Sequence, residues 1–344
     1  MQTPQKILIW LPSPLGDAIC ATPALRTFRQ RFADAHITFL AVPFTQAILS
    51  PTSFADAWLT PRKGLLPLLS QLRAERFDTA ILLKNSFGSA LTVFLAGIPQ
   101  RIGYARDGRS LLLTDGLKPP REKGQFKIVS SVDYYLNLAA FLGGMPQSRL
   151  PELEVAETDK VAAAEKLPDV FVPAKPLVVI VPGGAFGPSK LWPYERFGAC
   201  AEAIIEKYNA NVALSVAPTE AELHAAEAIA AHCRYPLVNL GKTPLSGGQL
   251  KALFARADLV LTNDTGPRHI AIALRRRIVT LFGPNNPART HTGYADEIRI
   301  IGKGDCVPCD KPECKAAEHY CMQSITVEQV LDAIAKQMAG GRRE

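Results

Sequence analysis

The chain has 344 residues, 47% hydrophobic and 21% charged, a balance that suits two ordinary globular domains and excludes wholesale disorder. Its formal charge of +7 favours anionic partners such as an acidic lipid or a phosphorylated sugar; with no zinc-finger spacing, aromatic RNA-binding motif or long Lys/Arg tract, nucleic acid is disfavoured. The apolar run from Ile7 to Leu11 is cut short by Pro12 and Pro14, and no stretch is long enough to cross a bilayer, so a cytoplasmic location is expected.

The first half alternates strands and helices. Residues 6–11 read as a strand, 17–32 as a helix with apolar spacing at Ile19, Ala21, Leu25, Phe28 and Phe32, and 36–42 as a second strand. A helix is expected over 65–73, a strand over 78–84 and a helix over 127–142. Residues 150–176, rich in Pro, Glu and Lys, read as a linker carrying one short helix at 158–166. The pattern then restarts, with strands at 177–181, 211–216, 237–240, 258–262 and 278–282. Helices at 195–208, 220–232, 248–256 and 268–274 lie among them. A closing helix spans 326–338, with Thr326 as its N-cap and Gly340–Gly341 as its stop. The expected domains are therefore 1–155 and 177–325, joined by the linker 156–176 and followed by a C-terminal helix and tail, 326–344. Such alternation gives α/β domains with parallel sheets, and ligands bind such sheets at the carboxyl ends of the strands.

Five segments carry candidate chemistry. In PSPLGDAICATPALR (12–26), Asp17 follows the first strand; it reads either as a helix N-cap or as a carboxylate that takes a proton from an attacking hydroxyl. In VPGGAFGPSKLWP (181–193), small residues after a strand let backbone N–H groups approach an anion, and Lys190 adds a full charge. No Walker or G-x-G-x-x-G pattern fits there, which disfavours a dehydrogenase. In LVLTNDTGPRHIAIAL (259–274), a strand ends at Asn263–Asp264 and a helix starts at Thr265–Gly266, a terminus that suits a phosphate. Asp264 there either accepts from sugar hydroxyls or caps the helix, and His269 either donates to phosphate or is a satisfied core histidine. VTLFGPNNPARTHTGY (279–294) is a turn-rich loop after a strand. Finally, Cys306, Cys309, Cys314 and Cys321, with His319 nearby, are four of seven cysteines; they can hold a structural zinc or remain reduced thiols. A disulfide scaffold is not expected in a cytosolic chain.

In that order, these motifs resemble the ADP-heptose:lipopolysaccharide heptosyltransferases of glycosyltransferase family 9, especially the heptosyltransferase II branch, whose C-terminal CVPCDKPEC…HYC run this chain shares. The resemblance implies a GT-B fold, two tandem Rossmann-like doubly wound domains facing a central cleft, with the acceptor on the first domain and the nucleotide sugar on the second. It implies Asp17 as catalytic base and Gly184, Ala185, Lys190, Glu222 (less strongly Glu220), Asp264, Thr265, Gly266 and His269 as donor-binding residues. Arg101, Arg106 and Arg109 in RIGYARDGR would face the acceptor; with Arg121, Lys123 and Lys127 they form a basic run that either meets acceptor phosphate or carboxylate or is a solvated face. The implied activity is inverting transfer of heptose from ADP-heptose to the inner core of lipopolysaccharide. No catalytic cofactor is required, and contact with the inner membrane is peripheral. The alternatives are a related transferase using another nucleotide sugar and a GT-B-type nucleotide-sugar epimerase.

Overall fold

The computed structural model describes residues 4–184, 186–316 and 318–339. The chain divides into two compact units, Met1–Leu153 with Ala288–Gly293, and Glu154–Pro287 with Tyr294–Glu344.

The first unit runs β1 (Lys6–Trp10), α1 (Leu15–Cys20), α2 (Thr22–Arg31), β2 (His36–Leu40), α3 (Pro43–Leu49), β3 (Ala57–Leu59), α4 (Leu65–Glu75), β4 (Thr79–Leu82), α5 (Phe87–Leu95) and β5 (Gln100–Tyr104). A 3-10 turn (Arg109–Leu112), β6 (Asp115–Leu117), the hairpin strands β7 (Arg121–Glu122) and β8 (Gln125–Phe126), and α6 (Ser131–Phe141) complete it. Six parallel strands lie in the order β3-β2-β1-β4-β5-β6. The helix expected over 17–32 is two helices. Pro23, the second residue of α2, has no N–H to donate to the preceding turn, and the chain steps at Ala21. The helix expected from Lys127 starts at Ser131, because the Ser130 hydroxyl accepts from the Asp133 N–H at 3.1 Å and caps it.

The second unit runs α7 (Glu157–Lys166), β9 (Leu177–Val181), α8 (Tyr194–Tyr208), β10 (Asn211–Leu214), α9 (Glu220–Ala231), β11 (Val238–Asn239) and α10 (Gly247–Arg256). It continues with β12 (Leu259–Asn263), α11 (Gly266–Ala273), β13 (Arg277–Phe282), β14 (Glu297–Ile301), α12 (Tyr320–Gln323) and α13 (Val327–Met338). Its sheet is also parallel, in the order β11-β10-β9-β12-β13-β14. β9 and β12 are buried throughout, as apolar strands covered on both faces must be.

Two segments expected to stand apart belong to this second fold. The stretch expected as a linker, 156–176, includes α7, which packs on α10. Lys251 of α10 donates to the Glu154 carbonyl at 2.7 Å, and Gly248 leaves the space that the Asp159 carboxylate fills. The closing helix α13 packs on α8 and the sheet, with Gln337 donating to the carbonyls of Ile278 (3.1 Å) and Asp296 (2.9 Å). Thr326 caps it with a reciprocal Gln329 bond, as expected; the Gly340–Gly341 stop lies outside the described residues. Among the described residues, no helix is long and apolar enough to cross a membrane.

Both sheets reverse their winding direction beside the central strand, at β1/β4 and at β9/β12. At such a switch point the loops leaving two neighbouring strands diverge to opposite faces and open a crevice at the carboxyl edge. The loops there are Leu11–Pro14 and 83–86 in the first unit, and 182–190 and 264–265 in the second.

Candidate active site

In the first unit, β1 delivers the chain to Pro14, the N-cap of α1, and Asp17 is the third residue of that helix. Asp17 is therefore not the N-cap, and Pro14 has no N–H for a capping box to bind. Its carboxylate instead accepts from the Ser131 hydroxyl at 2.9 Å, across 114 residues, at the start of α6. Past the end of the neighbouring strand β4, Lys84 has its ammonium 5.6 Å from the centre of the Trp10 ring, and the Leu83 and Lys84 N–H groups bond the Trp10 carbonyl. Sequence spacing singled out neither Ser131 nor Lys84. The one available signal for Lys84 was a charge closing the apolar run expected as the strand 78–84.

The three arginines of the 101–109 loop separate. Arg101 sits at the amino end of β5, at the edge away from Asp17, and its guanidinium donates to the carbonyls of Leu112, Ile98 and Pro99. Arg109 is 0% exposed and is spent on the carbonyls of Tyr104 and Lys84 and on the Asn85 side chain, at 2.7–2.8 Å. A fully buried guanidinium so bonded is a strut; it has no face left for a ligand. Arg106 is held by side chains instead. It pairs with Asp107 at 2.8 Å, lies 4.7 Å from the Phe126 ring centre and flanks the Tyr134 phenol, which stacks on Tyr104 at 3.8 Å. Arg121 approaches the Phe126 ring too, at 4.6 Å, on the β7–β8 hairpin.

In the second unit the expected donor residues converge. Lys190, 8% exposed, donates to the Asp264 carbonyl at 2.5 Å and lies 3.3 Å from its Oδ2, with its ammonium 4.6 Å from the Phe186 ring centre. Burial lowers the lysine's pKa; Asp264 opposes that, and Arg268 adds to it. Asp264 also accepts from Arg268 at 3.1 Å. Arg268, 0% exposed, then holds both oxygens of Glu297 at 2.5 and 2.9 Å. Burial raises the Glu297 pKa, but the bonds and charge of Arg268 and the Thr280 hydroxyl outweigh it and hold the group below its usual value. Two cations and two anions thus cancel inside the fold, and Asp264 is held in place from both sides.

Around this network lie polar atoms that suit a ligand. Thr265, the N-cap of α11, uses no side-chain cap, and its Oγ1 is buried with no hydrogen-bond partner among the described residues. Gly266 opens the helix, where first-turn N–H groups have no intrahelical acceptor and the dipole favours an anion. Gly184 is glycine for a packing reason: a Cβ there would stand 2.4 Å from Thr265 Cγ2. Glu222 accepts from the Ala217 N–H at 2.6 Å and abuts Gly183, so it, not the exposed Glu220, borders the anion loop. His269 is buried, and burial followed by the Arg268 charge pushes it down to about 4. It is a neutral imidazole that can donate one hydrogen bond and brings no positive charge. Asn263 donates to the Pro182 carbonyl at 2.6 Å and ties the two loops together; Asn285 lies 3.4 Å from Asp264. Ala185 lies outside the described residues.

The cysteine segment braces the Lys190 turn. Ser189 donates from N (3.1 Å) and Oγ (2.6 Å) to the carbonyls of Pro312 and Lys311, and Cys309 and Asp310 donate to Pro284. Gly187, at φ 145°, lets the Pro312 carbonyl approach where a Cβ would stand 2.4 Å away. Cys306 and Cys314 are exposed, Cys309 is half-buried and Cys321 is buried. Among the described residues, no group of three or more His, Cys, Asp or Glu side chains is arranged to hold a metal, so the expectation of zinc finds no support.

The family model of glycosyltransferase family 9 (heptosyltransferase) matches residues 65–320. The chain belongs to glycosyltransferase family 9. Lipopolysaccharide heptosyltransferase 2 of Escherichia coli is 30% identical over 96% of this chain and 97% of its own length. The solved structure of E. coli ADP-heptose lps heptosyltransferase II superposes with TM-score 0.81 at 27% identity, covering 97% of this chain and 99% of that one. The family 9 glycosyltransferase of Veillonella parvula superposes with TM-score 0.84 at 22% identity over 99% of each chain, a likeness of fold. The GT-B expectation, two doubly wound α/β domains in tandem, agrees with the two six-stranded parallel sheets of this family 9 chain.

Proposed function

We propose that this family 9 protein is an inverting heptosyltransferase that moves heptose from ADP-heptose to the inner core of lipopolysaccharide. The observation that carries this reading is the pair of switch points: a carboxylate oriented by a hydroxyl at one, and an anion cradle held by a buried ion network at the other. Asp17 takes the proton from an acceptor hydroxyl as its oxygen bonds to the anomeric carbon, and the bond from that carbon to the diphosphate breaks. ADP leaves from the opposite face, so the configuration inverts. Negative charge gathers on the diphosphate, where Lys190, the α11 terminus at Thr265 and Gly266, and the His269 N–H stabilise it. Glu222 borders the loop that carries the nucleotide and suits its ribose hydroxyls. The buried Asp264, with Asn285, faces the sugar hydroxyls. Arg106 and the hairpin basics Arg121, Lys123 and Lys127 receive the acidic groups of the acceptor. Positive charge for the leaving group comes from the chain itself, so chelation with EDTA leaves turnover unchanged. The enzyme works in the cytoplasm in peripheral contact with the inner membrane, where a lipid-anchored acceptor is presented.

The test is to incubate the purified protein with ADP-heptose and other nucleotide sugars, with and without a core-truncated lipopolysaccharide, and to identify products by mass spectrometry. A heptosylated acceptor formed from ADP-heptose alone supports the reading. Transfer from a different donor, or isomerised donor without acceptor, replaces it with a related transferase or an epimerase.

A further inference from the structure

Charge is divided unevenly along the sequence. Residues 1–153 contain 17 Lys and Arg against 10 Asp and Glu; the remainder of the chain's 39 and 32 is 22 and 22, so the front half carries the whole excess of +7. Most of the large apolar side chains that remain exposed lie in the same half. Within it, α4, α5 and the 3-10 turn pack side by side over one face of the sheet, on a shared core that includes Leu68, Leu72, Val93 and the partly buried Leu112. Their outward side leaves Leu65, Leu66, Phe87, Phe94, Leu95 and Leu111 in water, with Leu66 77% and Leu111 94% exposed. A soluble surface does not ordinarily cluster apolar side chains in this way without a partner.

Basic groups rim this layer. Arg62 and Lys63 precede Leu65, both exposed. Arg73 reaches from α4 to the Leu95 carbonyl at 2.7 Å, and Arg101 lies 5.3 Å from the Phe94 ring centre. The one acid of α4, Glu75, is paired with Lys6 at 2.9 Å. Apolar side chains ringed by Lys and Arg match the layered chemistry of an anionic bilayer: headgroups take the cations, and the acyl boundary takes the leucines and phenylalanines.

We propose that the α4–α5–3-10 layer is the face by which the enzyme docks on an anionic lipid bilayer. The inference names the partner surface for the membrane contact in the functional reading above and rests on that reading. Docking through exposed side chains rather than a spanning helix gives reversible, salt-sensitive attachment.

The experiment is co-sedimentation of the full chain with phosphatidylcholine vesicles and with mixed phosphatidylcholine–phosphatidylglycerol vesicles, alongside turnover on a deacylated, water-soluble acceptor. The wild type binds the anionic vesicles more strongly than the neutral ones, and added salt weakens that binding. The Leu66→Glu/Leu111→Glu double variant loses about tenfold or more of vesicle binding and keeps its turnover on the soluble acceptor. Arg62→Glu/Lys63→Glu lies in an exposed loop and checks the result independently of the leucines; it loses binding to anionic vesicles and keeps the weaker binding to neutral ones. A wild type that ignores vesicles, or variants that bind as it does, overturns the proposal. So does a double variant that loses self-association in light scattering while still binding lipid, since the face would then join two copies of the chain. Lipid binding lost in these variants while the wild type turns over no nucleotide sugar would sink the transferase reading and leave the docking face standing.

Discussion

Beyond the carboxyl ends of β9 and β12, Lys190 and Asp264 are bonded to each other, and Arg268 of α11 links Asp264 to Glu297 at the start of β14; all four side chains are at most 10% exposed. At the carboxyl end of β1, Asp17 is half-buried and takes a hydroxyl from Ser131. The same strand order thus ends in two different kinds of site. The second unit sets its dipoles and charges in advance, which suits stabilising a charge that appears only as a diphosphate departs. The first keeps its carboxylate approachable, which suits a base that must meet a large and variable acceptor. In the proposed function, rigidity is placed where charge develops, and access is kept where substrate enters.

The largest effect comes from the open side. Asp17→Asn keeps the shape and removes the proton acceptor, so kcat falls by about 10²–10⁴-fold while thermal stability stays near that of the wild type. Steady-state kinetics and a melting curve read both. Near-normal turnover would remove Asp17 from the chemistry.

On the closed side the largest effect is on folding. Arg268→Met leaves Glu297 a buried carboxylate without its cation and Asp264 with Lys190 on one side only, and costs about 3–5 kcal/mol, seen as a lower midpoint in urea. A variant as stable as the wild type would mean the network does not hold the cradle. Gly184→Ala is smaller: its Cβ meets Thr265 Cγ2, and overpacking of this kind costs about 1–3 kcal/mol. It also displaces the helix start, so ADP affinity falls along with stability.

The legibility of the sequence follows the same division. Motifs local in the chain could be read. Asp264 and Thr265 stand directly after an apolar strand, His269 lies in the first turn of the helix that follows, and Lys190 closes the small-residue loop after another strand; the structure brings them together. Partners joined only by folding could not. Ser131 lies 114 residues from Asp17, and Glu297 lies 29 residues from Arg268. The arginines of the 101–109 loop showed the limit of charge counting. Arg109 is of the same residue type as Arg106 and only three positions away, but its surroundings bury it. Among the elements, the three-residue strands β3 and β6 and the two-residue hairpin strands carry too few positions for any periodicity to register. α5 was hidden because its exposed face is itself apolar, at Phe87, Phe94 and Leu95.

The smallest effect separates the two sites by pH. His269 sits near 4 in the fold, against about 6.5 when unfolded. Above about 6.5 both states are neutral and its contribution is constant. As pH falls from there to about 4, only the unfolded chain takes the proton, so stability declines; below that the contribution ends. His269→Asn should flatten this part of the melting-temperature profile, and an unchanged slope would mean the imidazole is not held neutral by burial.

Calorimetric titration of ADP-heptose into wild type, Asp17→Asn and Lys190→Gln, followed by single-turnover transfer in each, tests the division of labour most directly. The account predicts that Asp17→Asn binds donor as the wild type does yet transfers at least about a hundredfold more slowly, while Lys190→Gln binds donor more weakly. Loss of donor affinity in Asp17→Asn, with Lys190→Gln unaffected, would contradict it.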